Sequence, residues 1–525
     1  MITVGMRLIE GLAARGVEVV FGIPGVHTVE LYRGLSGSPV RHVTARHEQG
    51  CAFMADGYAR VSGKPGVALV ITGPGVTNAL TAMAQAKAES VPILVISGVN
   101  RRASLGRGLG LLHELPDQAG LVRALCPTRQ ITGPDDVAAT LDWAFATMAT
   151  GRPGPVHIEV PTDVMPMLCD ALPPPAALPA KPVPNAAEIA RAVASLNAAD
   201  RVVILAGGGA RRCDAVLTLL ARRLDAPVVQ TVNARGMLYG HVLGVPASPS
   251  LAATRGLIAG AGQVLAIGTE FGPTDYDMYV NGGLPNLSGM IRVDICAEQL
   301  ARHPAAQVLH GDADATMRSL LAQLTQKQGD GAARAADSRQ LARTELADLS
   351  ATMPAQLDIV ETIRAAMPGA IIVGDSTQPV YAANLYYDHD RAGGWFNAAT
   401  GYGALGFAPG AAVGAALAAP DTPVVCLIGD GGLQFSPGEL RTAVDEALPI
   451  TFVVWNNAAF REIADAMRGA NTEVIGCAPT PLNMEPFAAA CDLPFMSLPQ
   501  DTETLHWALS QPHKGPRMIE IRVTL

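Results

Sequence analysis

Asp430 and Asn457 are the two residues whose types and spacing best suit chemistry. Each lies two residues after the end of a short apolar run, residues 424–428 and 451–455, and Asp430 lies in a Gly-Asp-Gly-Gly sequence. Oxygen ligands with one formal charge suit Mg²⁺, which takes one or two carboxylates, neutral oxygens and the oxygens of a bound phosphate. The three glycines would let backbone N–H groups approach that phosphate: Gly429, Gly431 and Gly432.

A βαβ unit is the predicted element that brings these two residues together. Each apolar run is typical of a buried parallel strand. The helix between them is predicted to begin at Ser436, with Pro437 in its first turn and Glu439 completing a capping box. A right-handed crossover places the two strands side by side with their carboxyl ends together. Asp430 and Asn457 should therefore meet at one edge of a sheet.

Composition excludes several classes of protein. At 525 residues the chain is too long for one core, and about three domains are expected. It carries a formal charge of −9 and no long run of Lys and Arg, so a nucleic-acid partner is not expected. No apolar run is long enough to span a membrane. The eight cysteines lack CxxC spacing, which predicts reduced thiols and a cytoplasmic protein.

The stretch from Val424 to Asn457 resembles the thiamin diphosphate signature of the pyruvate decarboxylase and acetolactate synthase superfamily. The resemblance implies thiamin diphosphate and Mg²⁺ as cofactors. It also implies Asp430, the Asn457 side chain and the Ala459 backbone carbonyl as the metal ligands. The unusual pair that follows Asn457, two alanines, leaves the backbone angle at this carbonyl open.

A second motif supports the same family. Residues 46–60, RHEQGCAFMADGYAR, closely match the superfamily's RHEQGAxxMADGYAR. The resemblance implies that Glu48 hydrogen-bonds the aminopyrimidine ring of the cofactor. A carboxylate in a poorly solvated place can share a proton at neutral pH, as activation of the cofactor requires.

Two further segments would complete the cofactor site. Hydroxyl and amide groups follow the predicted strand 371–373 and suit a diphosphate, while Asp375 is expected to face elsewhere. These groups belong to Ser376, Thr377 and Gln378. The turn 400–406 resembles the family's GxGxLG turn, which implies that the Gly403 carbonyl accepts from the cofactor's amino group and that Leu405 wedges between its two rings.

His113 is the candidate for moving a proton at the substrate. It lies in Leu-Leu-His-Glu-Leu-Pro-Asp-Gln after a glycine-rich loop, and Glu114 follows it. Pyruvate-type decarboxylases have a His-His pair here and acetolactate synthases a Gln-Glu pair. The catalytic residues are therefore predicted to be Glu48 and His113.

The predicted fold is α/β, with three doubly wound parallel-sheet domains. They are a pyrimidine-binding domain at 1–170, a central Rossmann-like domain at 185–345 and a diphosphate-binding domain at 354–525. The proline-rich segment 172–184 is a linker. In the central domain, Gly207-Gly-Gly lacks GxGxxG spacing, so a plain turn is favoured over a dinucleotide site. By resemblance the domain holds FAD or nothing.

The resemblance implies decarboxylation of a 2-oxo acid to an aldehyde and CO₂. Within the superfamily the motifs look most like the 5-guanidino-2-oxopentanoate (2-ketoarginine) decarboxylases. Four acids are candidates for holding a cationic tail, with helix caps or solvated surface as the alternative: Glu114, Asp117, Asp275 and Asp277. The rival functions are an acetolactate synthase-type carboligase and a non-catalytic cofactor-binding paralogue. A homodimer or homotetramer with the active site at the subunit interface is expected.

Overall fold

The first sheet is built from short buried runs, each ending in a turn. The computed structural model describes residues 2–278 and 282–523. The strands of this sheet are β1 (Val19–Gly22), β2 (Arg41–Thr44), β3 (Gly66–Val70), β4 (Ile93–Val99), β5 (Thr128–Gln130) and β6 (Val156–Pro161). They are parallel, in the order β2-β1-β3-β4-β6-β5. The connecting helices are α1 (Val4–Ala14), α2 (Val29–Leu35), α3 (Glu48–Ser62), α4 (Pro74–Ala88), α5 (Gln118–Arg123) and α6 (Asp136–Ala149).

The bounds of α3 and α4 have local causes. The His47 side chain caps α3 by accepting a hydrogen bond from the Gln49 N–H. Gly63, with φ +76°, ends α3 in the left-handed conformation that glycine adopts without strain. Gly73, with φ +65°, precedes α4, which begins with a proline. Glu48 is therefore fixed as the first residue of its helix.

The second sheet repeats the pattern. Its strands are β7 (Val202–Ala206), β8 (Val228–Gln230), β9 (Gly244–Val245), β10 (Gln263–Ile267), β11 (Ile291–Asp294) and β12 (Gln307–His310). They are parallel, in the order β12-β11-β10-β7-β8-β9. Its helices are α7 (Ala186–Ala198), α8 (Asp214–Leu224), α9 (Ala252–Ala259), α10 (Pro273–Tyr276), α11 (Ala297–Arg302), α12 (Ala313–Leu321) and α13 (Gly331–Leu349).

The third sheet also has six strands. They are β13 (Ile371–Gly374), β14 (Trp395–Asn397), β15 (Val424–Gly429), β16 (Ile450–Asn456), β17 (Phe495–Pro499) and β18 (Arg517–Arg522). β13 pairs with β14, and β16 lies between β15 and β18, each pair parallel. The helices are α14 (Met353–Ala366), α15 (Gln378–Leu385), α16 (Phe407–Ala418), α17 (Asp430–Leu433), α18 (Glu439–Asp445), α19 (Arg461–Gly469), α20 (Met484–Ala490) and α21 (Thr502–Ser510).

The predicted helix start at Ser436 is wrong. α18 begins three residues later, at Glu439, and its N-cap Gly438 offers no side chain. The Ser436 hydroxyl instead donates to the Gly406 carbonyl at 2.7 Å. The Glu439 carboxylate is committed to partners far away in sequence, so the capping box does not form.

Three parallel sheets with interleaved helices confirm the predicted fold class. The chain forms two compact units, Met1–Pro179 with Gly401–Ser497 and His513–Leu525, and Ala180–Thr400 with Leu498–Pro512. The three-domain boundaries given above stay a prediction. Within the described residues, no helix has both the length and the apolar character needed to cross a bilayer. All eight cysteines are free thiols.

Candidate active site

The βαβ unit brings Asp430 and Asn457 together as predicted. β15 and β16 run parallel, with Gly429 opposite Trp455 at their carboxyl ends. Asp430 comes directly after the last residue of β15 and Asn457 directly after the last residue of β16, and the Asn457 N–H donates to Asp430 Oδ1 at 3.3 Å. Both side chains are buried. The carboxylate and the amide therefore share one edge of the sheet.

The loop after Asn457 turns sharply. Ala458 has φ +54°, a left-handed conformation that few residues other than glycine adopt. Its N–H donates to Asn456 Oδ1, and the Ala459 N–H donates to Asn457 Oδ1, both at 3.1 Å. These bonds hold Ala459 beside Asn457. The turn that the sequence left open therefore contains a strained residue, Ala458, and the Ala459 carbonyl stays a predicted ligand.

The donor set fits Mg²⁺ bound together with a phosphate-bearing ligand. Asp430 is 5% exposed, and burial raises the pKa of its carboxyl group. A nearby divalent cation would stabilise the charged form. Across the described ranges, no three His, Cys, Asp or Glu side chains form a metal centre. One carboxylate with neutral oxygens leaves positions that diphosphate oxygens would fill.

The predicted diphosphate residues lie at the end of β13. Gln378 is the first residue of α15, and Thr377 is its N-cap but makes no side-chain capping bond. Asp375 is fully buried and accepts the Ser376 N–H at 2.9 Å. As expected, Asp375 therefore faces the interior and leaves the hydroxyls to other partners.

The glycine-rich turn before α16 is held from two sides. The Ala404 N–H donates to Gln85 Oε1 at 3.2 Å, and the Gly406 carbonyl accepts the Ser436 hydroxyl. Gly403 has φ +73°, and nothing lies within 4 Å of where its side chain would be. Leu405 is only half-buried, unlike a core leucine. The turn thus presents an apolar side chain, Leu405, that the chain buries only in part.

Glu48 is oriented by a neighbouring helix. Its Oε2 accepts from Asn78 Nδ2 at 2.9 Å. Asn78 belongs to α4, the helix that follows β3. The hydrogen bond makes Asn78 a positioning residue that sequence reasoning did not identify individually.

Glu439 is a second residue that the sequence did not identify for this site. It is 1% exposed, and Oε1 accepts from the N–H groups of Arg46 and His47 at 3.2 and 3.1 Å. The Thr442 hydroxyl donates to Oε2 at 2.8 Å. Burial raises the pKa of Glu439, and these hydrogen bonds offset part of the shift. Glu439 thus fixes the two residues that precede Glu48.

His113 lies in a strained loop beside a second imidazole. Its φ is +61°, and its ring meets that of His27 edge to face, with 5.2 Å between the ring centroids. Nothing in the spacing of the sequence indicated that His27 and His113 would meet.

The four acids considered for a cationic tail all have local partners. Glu114 accepts from the Leu109 and Leu111 N–H groups. Asp117 caps α5. Asp275 accepts from the Val232 N–H, and Asp277 accepts from the Gly283 N–H and faces Arg255 at 3.9 Å. Asp117 is the helix cap that the alternative predicted, and the other three acids are likewise engaged by local groups.

Comparison with known families identifies the chain. Residues 2–121, 189–320 and 375–521 match the N-terminal, central and C-terminal domains of the thiamine pyrophosphate enzymes. The chain belongs to this family. The site described above therefore corresponds to its cofactor-binding domains, and the predicted family is confirmed.

Individual relatives refine the picture. The chain is 43% identical over 486 residues to a protein of Pseudomonas aeruginosa named "Probable 2-ketoarginine decarboxylase AruI", covering 91% of this chain and 86% of that one. It is 32% identical to the acetolactate synthase large subunit of Corynebacterium glutamicum, with coverages of 86% and 74%. The thiamine diphosphate-dependent 4-hydroxybenzoylformate decarboxylase of Rhodococcus jostii RHA1 superposes with a TM-score of 0.83 at 25% identity, covering 100% and 99%. The prediction of a thiamin diphosphate-dependent decarboxylase agrees with these similarities.

Proposed function

We propose that this protein is a thiamin diphosphate- and Mg²⁺-dependent enzyme that decarboxylates a 2-oxo acid, with 5-guanidino-2-oxopentanoate as the first candidate. The observation that carries the choice of substrate is the 43% identity to a probable 2-ketoarginine decarboxylase over 91% of the chain. The four acids discussed above do not support it, because their carboxylates hold local backbone groups or a local arginine.

Different groups of the predicted site residues would hold different parts of the cofactor. Asp430, Asn457 and the Ala459 carbonyl would hold Mg²⁺. Ser376, Thr377 and Gln378, together with the glycines at 429, 431 and 432, would hold the diphosphate. The Gly403 carbonyl would accept from the cofactor's amino group, and Leu405 would fix the angle between its rings.

Two side chains would move protons. When bound, thiamin diphosphate supplies an electron sink for the pair left by departing CO₂. Glu48 would share a proton with the aminopyrimidine, with its carboxylate oriented by Asn78. His113 would deliver a proton to the substrate-derived carbon. Removal of the reacting carboxylate from water would favour its loss as neutral CO₂.

Carboligation is the alternative reaction, and the similarity to acetolactate synthases favours it as the second candidate. In that reaction a second carbonyl compound, not a proton, captures the substrate-derived carbon. A binding-only paralogue is disfavoured, because such a protein would not need Glu48 in addition to Asp430 and Asn457.

We also propose that the protein works as a homodimer or homotetramer, with the active site at the subunit interface. Large apolar side chains are more than half exposed in segments next to the candidate site, an arrangement typical of surfaces covered by a partner. They are Val26, Leu112, Tyr402, Phe435 and Ile463.

A panel of 2-oxo acids tests the proposed reaction. We expect CO₂ and aldehyde from 5-guanidino-2-oxopentanoate, with a kcat/KM at least about tenfold above that of a neutral straight-chain 2-oxo acid of similar length, since a single charged hydrogen bond discriminates by that much. Equal or better turnover of the neutral acid would contradict a preference for a cationic substrate and indicate a general aliphatic or aromatic 2-oxo acid decarboxylase. Condensed products instead of an aldehyde would establish the carboligase.

A further inference from the structure

Glu520 is a buried acid on β18 that the site described above does not use. It is 7% exposed and lies opposite Val454 of β16. Side chains alternate between the two faces of a strand, so Asn456, two residues beyond Val454, shares the face of Glu520. Acids are seldom buried without partners, so the groups bonded to Glu520 indicate what it holds in place.

Both oxygens of the Glu520 carboxylate accept hydrogen bonds from neighbouring strands. Asn456 Nδ2 donates to Oε1 at 2.6 Å, and the Ser497 hydroxyl of β17 donates to Oε2 at 2.5 Å. β18 lies between β16 and β17 in the sheet. Glu520 therefore joins side chains from the strands on either side of its own.

The bond from Asn456 fixes the direction of its amide group. Because Nδ2 is engaged by Glu520, Oδ1 faces the Ala458 N–H and accepts from it at 3.1 Å. An amide group has its donors on the nitrogen and its acceptor on the oxygen. Without the Glu520 carboxylate the amide can rotate, and its NH₂ group would then face another donor at Ala458. Glu520 thus keeps the acceptor in place for the Ala458 N–H.

Ala458 needs this acceptor because its backbone is strained. Its φ of +54° is a left-handed conformation, which a residue with a Cβ atom disfavours by a factor of about 5–30. Ala458 also lies between Asn457 and Ala459, the two predicted metal ligands of this loop. A change of its conformation would therefore move the Ala459 carbonyl relative to the Asn457 side chain.

The loop is anchored on both sides of Ala458. The Val523 N–H donates to the Asn456 carbonyl at 2.9 Å. Beyond the turn, the Phe460 ring lies so close to Gly431 that a side chain there would come within 2.6 Å of it. The freedom that remains in this short loop is concentrated at the strained residue between these anchors.

We propose that Glu520 is a positioning residue for the magnesium site. It orients Asn456, and Asn456 holds Ala458 in the left-handed conformation that lets both loop ligands face one cation. Mg²⁺ requires near-ideal octahedral geometry, so its binding is sensitive to how the ligands are held. The inference rests on the proposed function, because it concerns the metal that this function requires.

Glu520→Met tests the proposal, because it removes both acceptor oxygens at nearly the same volume. The dissociation constant for Mg²⁺, measured by calorimetry with saturating thiamin diphosphate, should rise about 10- to 100-fold, as is usual when a group that orients a metal ligand is lost. Glu520→Gln keeps an oxygen for Asn456 Nδ2 and can donate to the Ser497 hydroxyl. It should raise the dissociation constant by about fivefold or less, since a neutral hydrogen bond replaces a charged one.

Arg517→Met is the matched control. Arg517 is also buried on β18 and joins it to β16, since its Nε donates to the Thr451 hydroxyl at 3.0 Å. This bond lies at the start of the two strands, away from the loop that follows β16. Arg517→Met should lower the melting temperature, as Glu520→Met does, but leave the dissociation constant for Mg²⁺ within about twofold, because distant sites act independently.

Ala458→Gly distinguishes positioning from packing. Glycine takes a positive φ without strain, so the loop no longer needs the bond from Asn456. Alone, Ala458→Gly should raise the melting temperature. Added to Glu520→Met, it should bring the dissociation constant for Mg²⁺ back to within about fivefold of the wild type, since one strained residue accounts for a loss of that size or larger. Asn456→Ala removes the intermediate group and should show the same loss and the same rescue, which keeps the test available if Glu520→Met does not fold.

The outcomes are distinguishable from those of the proposed function. A wild type that binds thiamin diphosphate and Mg²⁺ but releases no CO₂ from any 2-oxo acid contradicts the proposed function alone, because the affinities still test Glu520. A wild type without magnesium-dependent cofactor binding overturns both. Equal dissociation constants in Glu520→Met and Arg517→Met, or a loss that Ala458→Gly does not reduce, would overturn the inference alone.

Discussion

At the residue scale, the site depends on carboxylates that the fold removes from water. Asp430 is 5% and Glu439 1% exposed, and burial raises the pKa of both. Glu439 is stabilised by two backbone N–H groups and a hydroxyl. Asp430 has the Asn457 N–H and, in our proposal, a divalent cation. A buried carboxylate therefore holds the backbone in the case of Glu439, and in our proposal binds a cation in the case of Asp430.

Asp430 should make stability depend on pH in a defined direction. Because its pKa is raised, the cofactor-free folded state loses stability as the pH rises through that value. Asp430→Asn should therefore melt higher than the wild type near neutral pH without cofactor, and the difference should shrink toward about pH 4, the ordinary carboxyl pKa. With thiamin diphosphate and Mg²⁺ the order should reverse, since the variant lacks the anionic ligand. Melting curves across pH check this, and a wild type that is the more stable without cofactor throughout contradicts it.

Glu48 should matter for turnover much more than for folding. Glu48→Gln keeps a group that can accept from Asn78, and it is expected to lower kcat by about 10² to 10⁴ with cofactor affinity nearly unchanged. Hydrogen–deuterium exchange at C2 of the bound cofactor measures the activation step directly. Exchange at the wild-type rate in this variant would show that another group activates the cofactor.

At the element scale, the residues that lead into α3 are held by α18 in addition to the local cap at His47. The Glu439 carboxylate lies against Gly50 so closely that a side chain there would meet Glu439 Oε1 at 2.1 Å. Two ion pairs add to the contact between residues 41–50 and residues 439–446, Arg46 with Asp445 and Arg41 with Glu446. Thr442 also approaches the Thr44 carbonyl at 3.5 Å. The helix that presents Glu48 is thus held by a segment nearly 400 residues later in the chain.

Replacing Glu439 tests this connection. In Glu439→Gln the new amide has only one acceptor oxygen, so the Arg46 and His47 N–H groups lose a charged partner and the free energy of unfolding should fall by about 1–3 kcal/mol. Glu446→Gln on the same segment is the control, with an expected loss of at most about 1 kcal/mol because its ion pair with Arg41 is half exposed. Urea denaturation measures both. Equal losses would show that Glu439 is not the principal link.

At the scale of the whole molecule, exposed apolar side chains bear on whether the protein assembles into an oligomer. The exposed apolar side chains lie in the segments that also carry the predicted site residues, including Leu112 beside His113 and Tyr402 beside Gly403. Exposed apolar surface of this kind favours association with a second copy when both copies contribute to one site.

The protein should therefore be at least a homodimer in solution. Sedimentation velocity at micromolar concentration should give a mass of two or four chains, each of 54.4 kDa. Adding thiamin diphosphate and Mg²⁺ should shift any monomer toward the assembly, because ligands that bind at an interface stabilise it. A fully active species with the mass of one chain would contradict this prediction.

The sequence by itself determined the two strands that position the site and the polar residues that follow them. Continuous apolar runs bounded by glycine or asparagine predicted β15 and β16, and the handedness of the crossover predicted that Asp430 and Asn457 would meet. These inferences succeed because strand formation, turns and crossover handedness are governed by local stereochemistry.

Only the tertiary structure decided which distant side chains share a hydrogen bond or a space. A capping box at Glu439 was a reasonable local prediction. The carboxylate instead accepts hydrogen bonds from two N–H groups at the start of α3, because the fold buries it against them. His27 and His113 likewise meet because β1 and β4 flank β3, an order that no short-range pattern specifies. The physical reason is that the free energy of a buried polar group depends on every neighbour that excludes water from it, and those neighbours are set by packing rather than by proximity in the chain.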